Sequence, residues 1–147
     1  GFNYRISDIQ SGLALSQLKK LQRFISRRRE LVSQYLEAFA DVPFINPAQT
    51  HGYDKSAHHL FVVRIDYSSI HKKRSQLMNQ LKSKGIGTQV HYIPIPAHPY
   101  YRKLGFQPED YPNALSYYQE ALSIPLFYDL TDAEQCFVVD SLKEISK

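Results

Sequence analysis

The feature that most constrains this chain is a long apolar stripe with helical spacing near its N-terminus. Between residues 7 and 39, apolar side chains recur three or four positions apart, or at sums of those steps: Ile9, Leu13, Leu21, Ile25, Val32, Leu36 and Phe39. This period places them on one face of a helix. Ser7 or Asp8 can cap its start, because a short side-chain oxygen accepts an unpaired backbone N–H. The spacing predicts one long helix over residues 7–39, straight or kinked.

Shorter helix and strand patterns follow this stripe. In chain order they predict a loop over 46–57, a strand over 59–66, a helix over 71–84, a strand over 88–92, a helical turn within 98–104, a helix over 111–122, an edge strand over 123–127 and a helix over 132–146. Gly85 suits the left-handed end of a helix, and Thr131 with Glu134 forms a capping box. The order predicts an α+β fold of two layers: a long N-terminal helix, then a small antiparallel sheet covered by helices on one side.

Length and composition exclude several protein classes. The 147 residues suffice for one domain with a core, and their 43% hydrophobic content excludes a disordered tail. A lone cysteine, Cys136, cannot form an intrachain disulfide or a structural zinc site by itself, which favours the cytoplasm. The sequence shows no signal peptide and no apolar run of the roughly 18 residues that a membrane span needs. Because it begins without Met, we expect it to start within a larger protein.

The net charge of +4 is concentrated near the start of the chain. Its densest part contains Lys19, Lys20, Arg23 and the run from Arg27 to Arg29. Such a run is typical of a solvated helix face, and a face that binds phosphate or an acidic partner is the alternative. A nucleic-acid-binding module is not favoured, because the recognition motifs of such modules are missing.

No common catalytic motif stands out, but one segment carries suitable chemistry. His91 and Tyr92 end a predicted strand just before Pro94. Two polar rings there can lie at the mouth of a cleft and bind sugars, carboxylates or phosphates; a buried histidine with a satisfied partner beside a core tyrosine is the alternative. A metal site is not predicted from His51, His58 and His59, because adjacent strand residues point to opposite faces.

Several colinear motifs resemble one enzyme family over essentially the whole chain. They are the segments 1–10, 15–21, 27–30, 85–94, 99–101 and 122–127, with Leu130-Thr131 after them. Together they resemble the DegT/DnrJ/EryC1/StrS family of sugar aminotransferases, which depend on pyridoxal 5′-phosphate. The sequence is most similar to enzymes that aminate the 4-keto carbon of a UDP-linked 4-keto-6-deoxy sugar in pseudaminic acid or spore-coat polysaccharide synthesis.

The resemblance implies that this chain is the C-terminal portion of such an enzyme. Residues 1–40 would form the long connecting helix at the end of the large domain, and residues 41–147 the small domain of an aspartate-aminotransferase-type fold (fold type I). The Schiff-base lysine and the acidic partner of the cofactor would lie upstream, in a large domain missing from this chain. No catalytic residue is therefore predicted here, and the chain alone should be inactive.

The resemblance also assigns roles to four residues. Asn3 would reach the cofactor phosphate of the neighbouring subunit in a homodimer, with Arg5 nearby, and His91 and Tyr92 would contact the nucleotide-sugar. L-Glutamate would be the amino donor, and no metal is implied. Many relatives carry a histidine two residues after the proline of the His-Tyr-x-Pro motif, where this chain has Pro96, with His98 two positions further.

The missing lysine leaves a second hypothesis from another class. The chain could be a non-catalytic module that binds a nucleotide-sugar or pairs with another chain. A basic nucleic-acid-binding module is the remote third hypothesis.

Overall fold

The computed structural model describes residues 4–49, 52–53 and 55–145. Its elements in chain order are α1 (Asp8–Leu18), α2 (Leu21–Phe39), β1 (Ile45–Pro47), β2 (Phe61–Ile65), α3 (Arg74–Ser83), α4 (Pro99–Lys103), α5 (Pro112–Glu120), β3 (Ala121–Ile124) and α6 (Asp132–Ile145). Two short 3-10 turns, Ile95–Ala97 and Pro108–Asp110, flank α4. This inventory confirms the α+β fold class.

The predicted N-terminal helix is divided into two helices by a break at Lys19 and Lys20. Ser7 caps α1 through a reciprocal pair of bonds: its Oγ accepts from the Gln10 backbone N–H, and Gln10 Oε1 accepts from the Ser7 backbone N–H. The break separates the apolar stripe into two parts with different surroundings. No residue of α1 is buried, whereas α2 buries Leu31, Val32, Tyr35 and Phe39.

The sheet has three antiparallel strands in the order β1-β2-β3. Ile45 of β1 faces Ile65 of β2, and Val63 of β2 faces Leu122 of β3. The predicted strand over 59–66 is confirmed as β2. The predicted strand over 88–92 is wrong: only Gln89 pairs with the sheet, through a single bridge to Ser123. The chain then leaves the sheet before the prolines that follow, since proline cannot donate to a strand ladder.

Two further strand boundaries differ from the prediction. Residues 45–47 form β1, although the sequence there begins a predicted loop. β3 covers residues 121–124 rather than 123–127, and it ends before Pro125 because this residue lacks the N–H that a ladder needs.

The hydrophobic core lies between the sheet and the helices α2, α3 and α6. Phe61, Val63 and Ile65 alternate along β2 and are all buried in this core. Tyr35 of α2 stacks on Phe61 with ring centroids 5.0 Å apart. Arg64 is exposed on the opposite face of β2 and pairs with Glu120 at the end of α5, so helices approach both faces of the sheet rather than one.

Two helix ends agree with the sequence-based prediction. Before α6, Thr131 Oγ1 accepts from the Glu134 backbone N–H, and a Glu134 carboxylate oxygen accepts from the Thr131 backbone N–H. After α3, Gly85 has a φ of 80°, in the left-handed region that favours glycine. The Gly85 N–H donates to the backbone oxygen of Lys82. After this turn the chain continues toward Gln89 and His91.

Candidate functional site

The predicted site residues lie in two regions of the chain. Asn3 lies outside the described residues. Arg5 is exposed in the segment before α1. His91 and Tyr92 follow the bridge at Gln89, in the extended segment that precedes α4.

The rings of His91 and Tyr92 lie together at the surface. Their centroids are 4.4 Å apart with a tilt of 37°. Tyr92 is 59% exposed, whereas His91 is half-buried. Nδ1 of His91 is buried and has no hydrogen-bond partner among the described residues. The histidine is partly buried, as the buried-histidine alternative expects, yet its Nδ1 lacks the partner that this alternative requires among the described residues.

His91 forms one wall of a cleft with a volume of about 260 Å³, here called the His91 cleft. Residues after β1, before and within β2, and on α5 supply the rest of its lining. The described residues around it are Ala48, Gln49, Tyr53, His58, Leu60, Phe61, Val62, His91 and Tyr117. Tyr117 approaches His91 edge-on, with centroids 6.4 Å apart and an angle of 69°. Sequence reasoning missed Tyr117, because one tyrosine in a helix that contains others carries no distinguishing signal.

His58 and Tyr53 also line the His91 cleft. The His58 ring is buried, and its Nε2 lies 2.8 Å from the backbone oxygen of Tyr53. The two rings stack with centroids 6.0 Å apart. His59 is exposed, so the two adjacent histidines differ in environment. Within the described part of the chain, no three His, Cys, Asp or Glu residues are grouped as metal ligands.

Burial raises the pKa values of the two tyrosines beside the cleft. Desolvation raises the pKa of Tyr53, and it raises the pKa of Tyr117 against a smaller opposing effect of the Arg64 charge. Arg64 itself pairs with Glu120 at 2.7 Å. Both phenols therefore stay protonated at neutral pH and can donate as well as accept hydrogen bonds.

The arginine run of α2 binds protein groups rather than forming the expected solvated face. Arg27 donates to the backbone oxygen of Leu130 at 2.7 Å and to Asp132 at 2.8 Å. Arg29 donates through Nε to the backbone oxygen of Ser56 at 3.0 Å. Only the earlier cations, Lys19, Lys20 and Arg23, are mainly exposed. These contacts weaken the alternative of a phosphate-binding surface at Arg27 to Arg29.

Arg28 makes the most extensive of these contacts. Its Nη1 donates to the backbone oxygens of His58 at 3.0 Å, His59 at 3.1 Å and Leu126 at 3.2 Å. One guanidinium on α2 therefore bonds both the residues that lead into β2, beside the His91 cleft, and the segment that follows β3.

Comparison with known proteins gives one consistent family. Residues 1–143 match the model of the DegT/DnrJ/EryC1/StrS aminotransferase family. A curated relative, the spore coat polysaccharide biosynthesis protein SpsC of Bacillus subtilis, is 36% identical over 100% of this chain and 38% of its own length. The chain thus spans well under half of the curated relatives it matches.

Solved structures agree with this match. The chain is similar to Helicobacter pylori PseC, an aminotransferase involved in the biosynthesis of pseudaminic acid. The TM-score is 0.88 and the identity 29%, and the match covers 99% of this chain and 38% of PseC. It is also similar to the PLP-form of Spr1654 from Streptococcus pneumoniae, with a TM-score of 0.87 and 30% identity. This match covers 97% of this chain and 36% of Spr1654. The likeness confirms the predicted small-domain architecture of fold type I enzymes.

The helices offer no membrane-spanning candidate within the described ranges, since none is both long and apolar enough.

Proposed function

The chain belongs to the DegT/DnrJ/EryC1/StrS aminotransferase family, and from this premise we propose that it is the C-terminal part of a sugar aminotransferase. The enzyme transfers an amino group from L-glutamate to a nucleotide-linked keto-deoxy sugar in surface polysaccharide or glycoconjugate biosynthesis. The observation that carries the proposal is the family match over residues 1–143, together with the polysaccharide and pseudaminic acid roles of SpsC and PseC. The lone cysteine favours a cytoplasmic enzyme.

Pyridoxal 5′-phosphate is the cofactor that the family implies, and Spr1654 has been solved in PLP- and PMP-forms. When bound, it supplies an electron sink for amino transfer. The residues around the His91 cleft fit a role beside this group but cannot anchor it, because no lysine is among the described residues of the lining. We therefore assign the cofactor-bearing lysine to a preceding large domain, and we expect the 147-residue chain alone to be inactive.

Two residues of this chain are proposed to hold the cofactor across a homodimer. The Asn3 amide donates to a phosphate oxygen of the neighbouring subunit's cofactor, since an amide N–H₂ is a suitable donor. The Arg5 guanidinium supports the same anion, because its planar donors match phosphate oxygens. The role proposed for Arg5 is supported by its exposed position ahead of α1, from which its side chain can reach a second subunit.

His91 and Tyr92 are proposed to contact the sugar substrate. The support is their geometry: a half-buried imidazole with an unpartnered Nδ1 beside a tyrosine that is 59% exposed. Imidazole and phenol groups can orient sugar hydroxyls by hydrogen bonds.

The division of the chain also stays a proposal. Residues 1–40 form the connecting region, and residues 41–147 form the small domain. The outward apolar side chains of α1 support this division. Ile9, Leu13 and Leu18 are 87%, 64% and 63% exposed, as expected of a helix that packs on the large domain.

The full-length enzyme with pyridoxal phosphate tests the proposal. Adding L-glutamate alone should convert the bound cofactor to its amino form, which absorbance reports, and should release 2-oxoglutarate. The 147-residue chain with the same cofactor should show neither signal. A full-length protein that releases no 2-oxo acid from L-glutamate or from any other amino acid would contradict the aminotransferase function and favour a non-catalytic binding module.

A further inference from the structure

The size of the His91 cleft limits what it can hold. Its volume of about 260 Å³ is slightly below the roughly 300–1,000 Å³ of sites for drug-sized ligands. One ring-sized group fits such a volume, whereas a whole nucleotide-sugar would extend out of it. The cleft therefore suits one portion of a larger substrate.

No Lys, Arg, Asp or Glu is among the described residues that line the cleft. Proteins usually bind phosphate and carboxylate groups with arginine or lysine, whose charge strengthens the hydrogen bonds. Here the rings of Tyr53, Phe61 and Tyr117 lie beside the imidazoles of His58 and His91. Apolar ring faces next to phenol and imidazole hydrogen-bonding groups match a polyhydroxylated ring.

The His91 imidazole has hydrogen-bonding capacity that the described residues do not use. Nearly all buried polar atoms in proteins have a hydrogen-bond partner, but Nδ1 of His91 has none among the described residues. A sugar hydroxyl can both donate and accept, so it can pair with an imidazole in either tautomer.

Resting on the proposed aminotransferase function, we propose that the His91 cleft is the subsite for the sugar ring and that Tyr117 is a second binding residue there. Tyr117 lies edge-on to His91, with ring centroids 6.4 Å apart. Its ring covers an apolar face of the sugar, and its hydroxyl binds a sugar hydroxyl. The nucleotide then lies outside the cleft, where charged groups can reach its phosphates.

The test uses the full-length enzyme and two probes, UDP-N-acetylglucosamine and UDP, with affinities measured by titration calorimetry. Tyr117→Phe should weaken binding of UDP-N-acetylglucosamine by about 2- to 10-fold, the effect of one lost hydrogen bond. Tyr117→Ala and His91→Ala should weaken it further. Binding of UDP should stay within about twofold of wild type, because UDP carries no sugar ring beyond its ribose.

Tyr128→Phe is the matched control. Its ring contacts Phe24 and Arg23 and does not line the cleft, so both affinities should stay unchanged. The Tyr117→Phe variant keeps the aromatic ring, which keeps the test interpretable if Tyr117→Ala fails to fold.

Three results would overturn the sugar subsite. They are unchanged affinity for UDP-N-acetylglucosamine in the Tyr117 and His91 variants, an equal loss of affinity for both probes, and no binding of UDP-N-acetylglucosamine by the wild type. The glutamate reaction of the same enzymes separates this inference from the proposed function. A normal glutamate reaction with any of these three results overturns the subsite alone, whereas a wild type inactive toward glutamate and every other amino acid overturns the proposed function.

Discussion

Arg28 of α2 donates a hydrogen bond to the backbone oxygen of His58, 30 positions further along the chain, at 3.0 Å. The same Nη1 also bonds the backbone oxygens of His59 and Leu126. The arginine thus fixes the backbone at His58, which lines the His91 cleft. A basic residue that could have served a charged ligand instead supports the backbone of the candidate site.

Replacing Arg28 should therefore destabilise the fold. Arg28→Met keeps an apolar stem but leaves three carbonyl oxygens without their charged donor, and we expect a loss of about 2–4 kcal/mol in the free energy of unfolding. Urea unfolding of the 147-residue chain at pH 7 measures it. Arg23→Met is the matched control, since Arg23 lies over the rings of Phe24 and Tyr128 and donates no hydrogen bond to the described residues; its loss should cost about 1 kcal/mol or less. Equal losses in the two variants would contradict the anchoring role.

Tyr35 links α2 to the end of β3 through one buried hydrogen bond. Its hydroxyl donates to the backbone oxygen of Pro125 at 2.8 Å, and the residue is 0% exposed. Tyr35→Phe should lower the free energy of unfolding by about 1–2 kcal/mol, because the carbonyl loses its partner while the packing stays. Tyr100→Phe, at a position that is 67% exposed, is the control and should unfold like wild type. No difference between Tyr35→Phe and this control would show that the bond contributes nothing.

Asp66 should make stability depend on pH in the acid range. Hydrogen bonds from Ser68 and Ser69 lower the pKa of Asp66 from 3.8 to about 2. Because the folded pKa is the lower one, the stabilisation is complete above about pH 4 and is lost as the pH falls toward 2. Urea midpoints measured from pH 5 to pH 2 should decline less steeply in Asp66→Asn and in the double variant Ser68→Ala/Ser69→Ala. An identical decline in wild type and both variants would exclude Asp66 as a source of the acid sensitivity.

The α1 face should drive association of the isolated chain. Leu13 and Leu18 are mostly exposed and contribute nothing to this core, so Leu13→Glu/Leu18→Glu should leave folding intact while it removes apolar surface. Light scattering across concentrations should show wild-type oligomers and a monomeric variant. Ser16→Glu/Gln17→Glu, at exposed polar positions of the same helix, adds the same charge and should remain associated. A wild-type chain that is monomeric at all concentrations would contradict the expectation.

Local patterns predicted the helices well, and they failed where distant residues decide the structure. The stripe from Ile9 to Phe39 predicts helix correctly, but period alone cannot show that Ile9 and Leu13 point outward while Leu31 and Tyr35 are buried. The break at Lys19 and Lys20 lacks the proline or glycine that marks such breaks in a sequence. Whether a segment forms a strand depends more on the neighbouring strand with which it can pair. β1 contains Asn46 and Pro47, which favour turns, and it exists because the edge of β2 is available for pairing.

The candidate site was only partly predictable, because local motifs identify some of its residues and contacts between distant residues bring in the others. The motif around His91 and Tyr92 identified two polar rings, and the structure confirms that they are neighbours. Tyr117, 26 positions from His91, enters the site only through the packing of α5 on the sheet. The roles of Asn3, Arg5, His91 and Tyr92 toward cofactor and substrate stay predictions.

The size of the native polypeptide tests the central claim most directly. An antibody raised against residues 61–145 can capture the protein from source cells, and mass spectrometry can then measure its intact mass. The account predicts a polypeptide much larger than 17.1 kDa, with an upstream domain that contains the cofactor-bearing lysine. A polypeptide of 17.1 kDa would contradict it, because no large domain would then supply that lysine, and the chain would act by binding or with another protein.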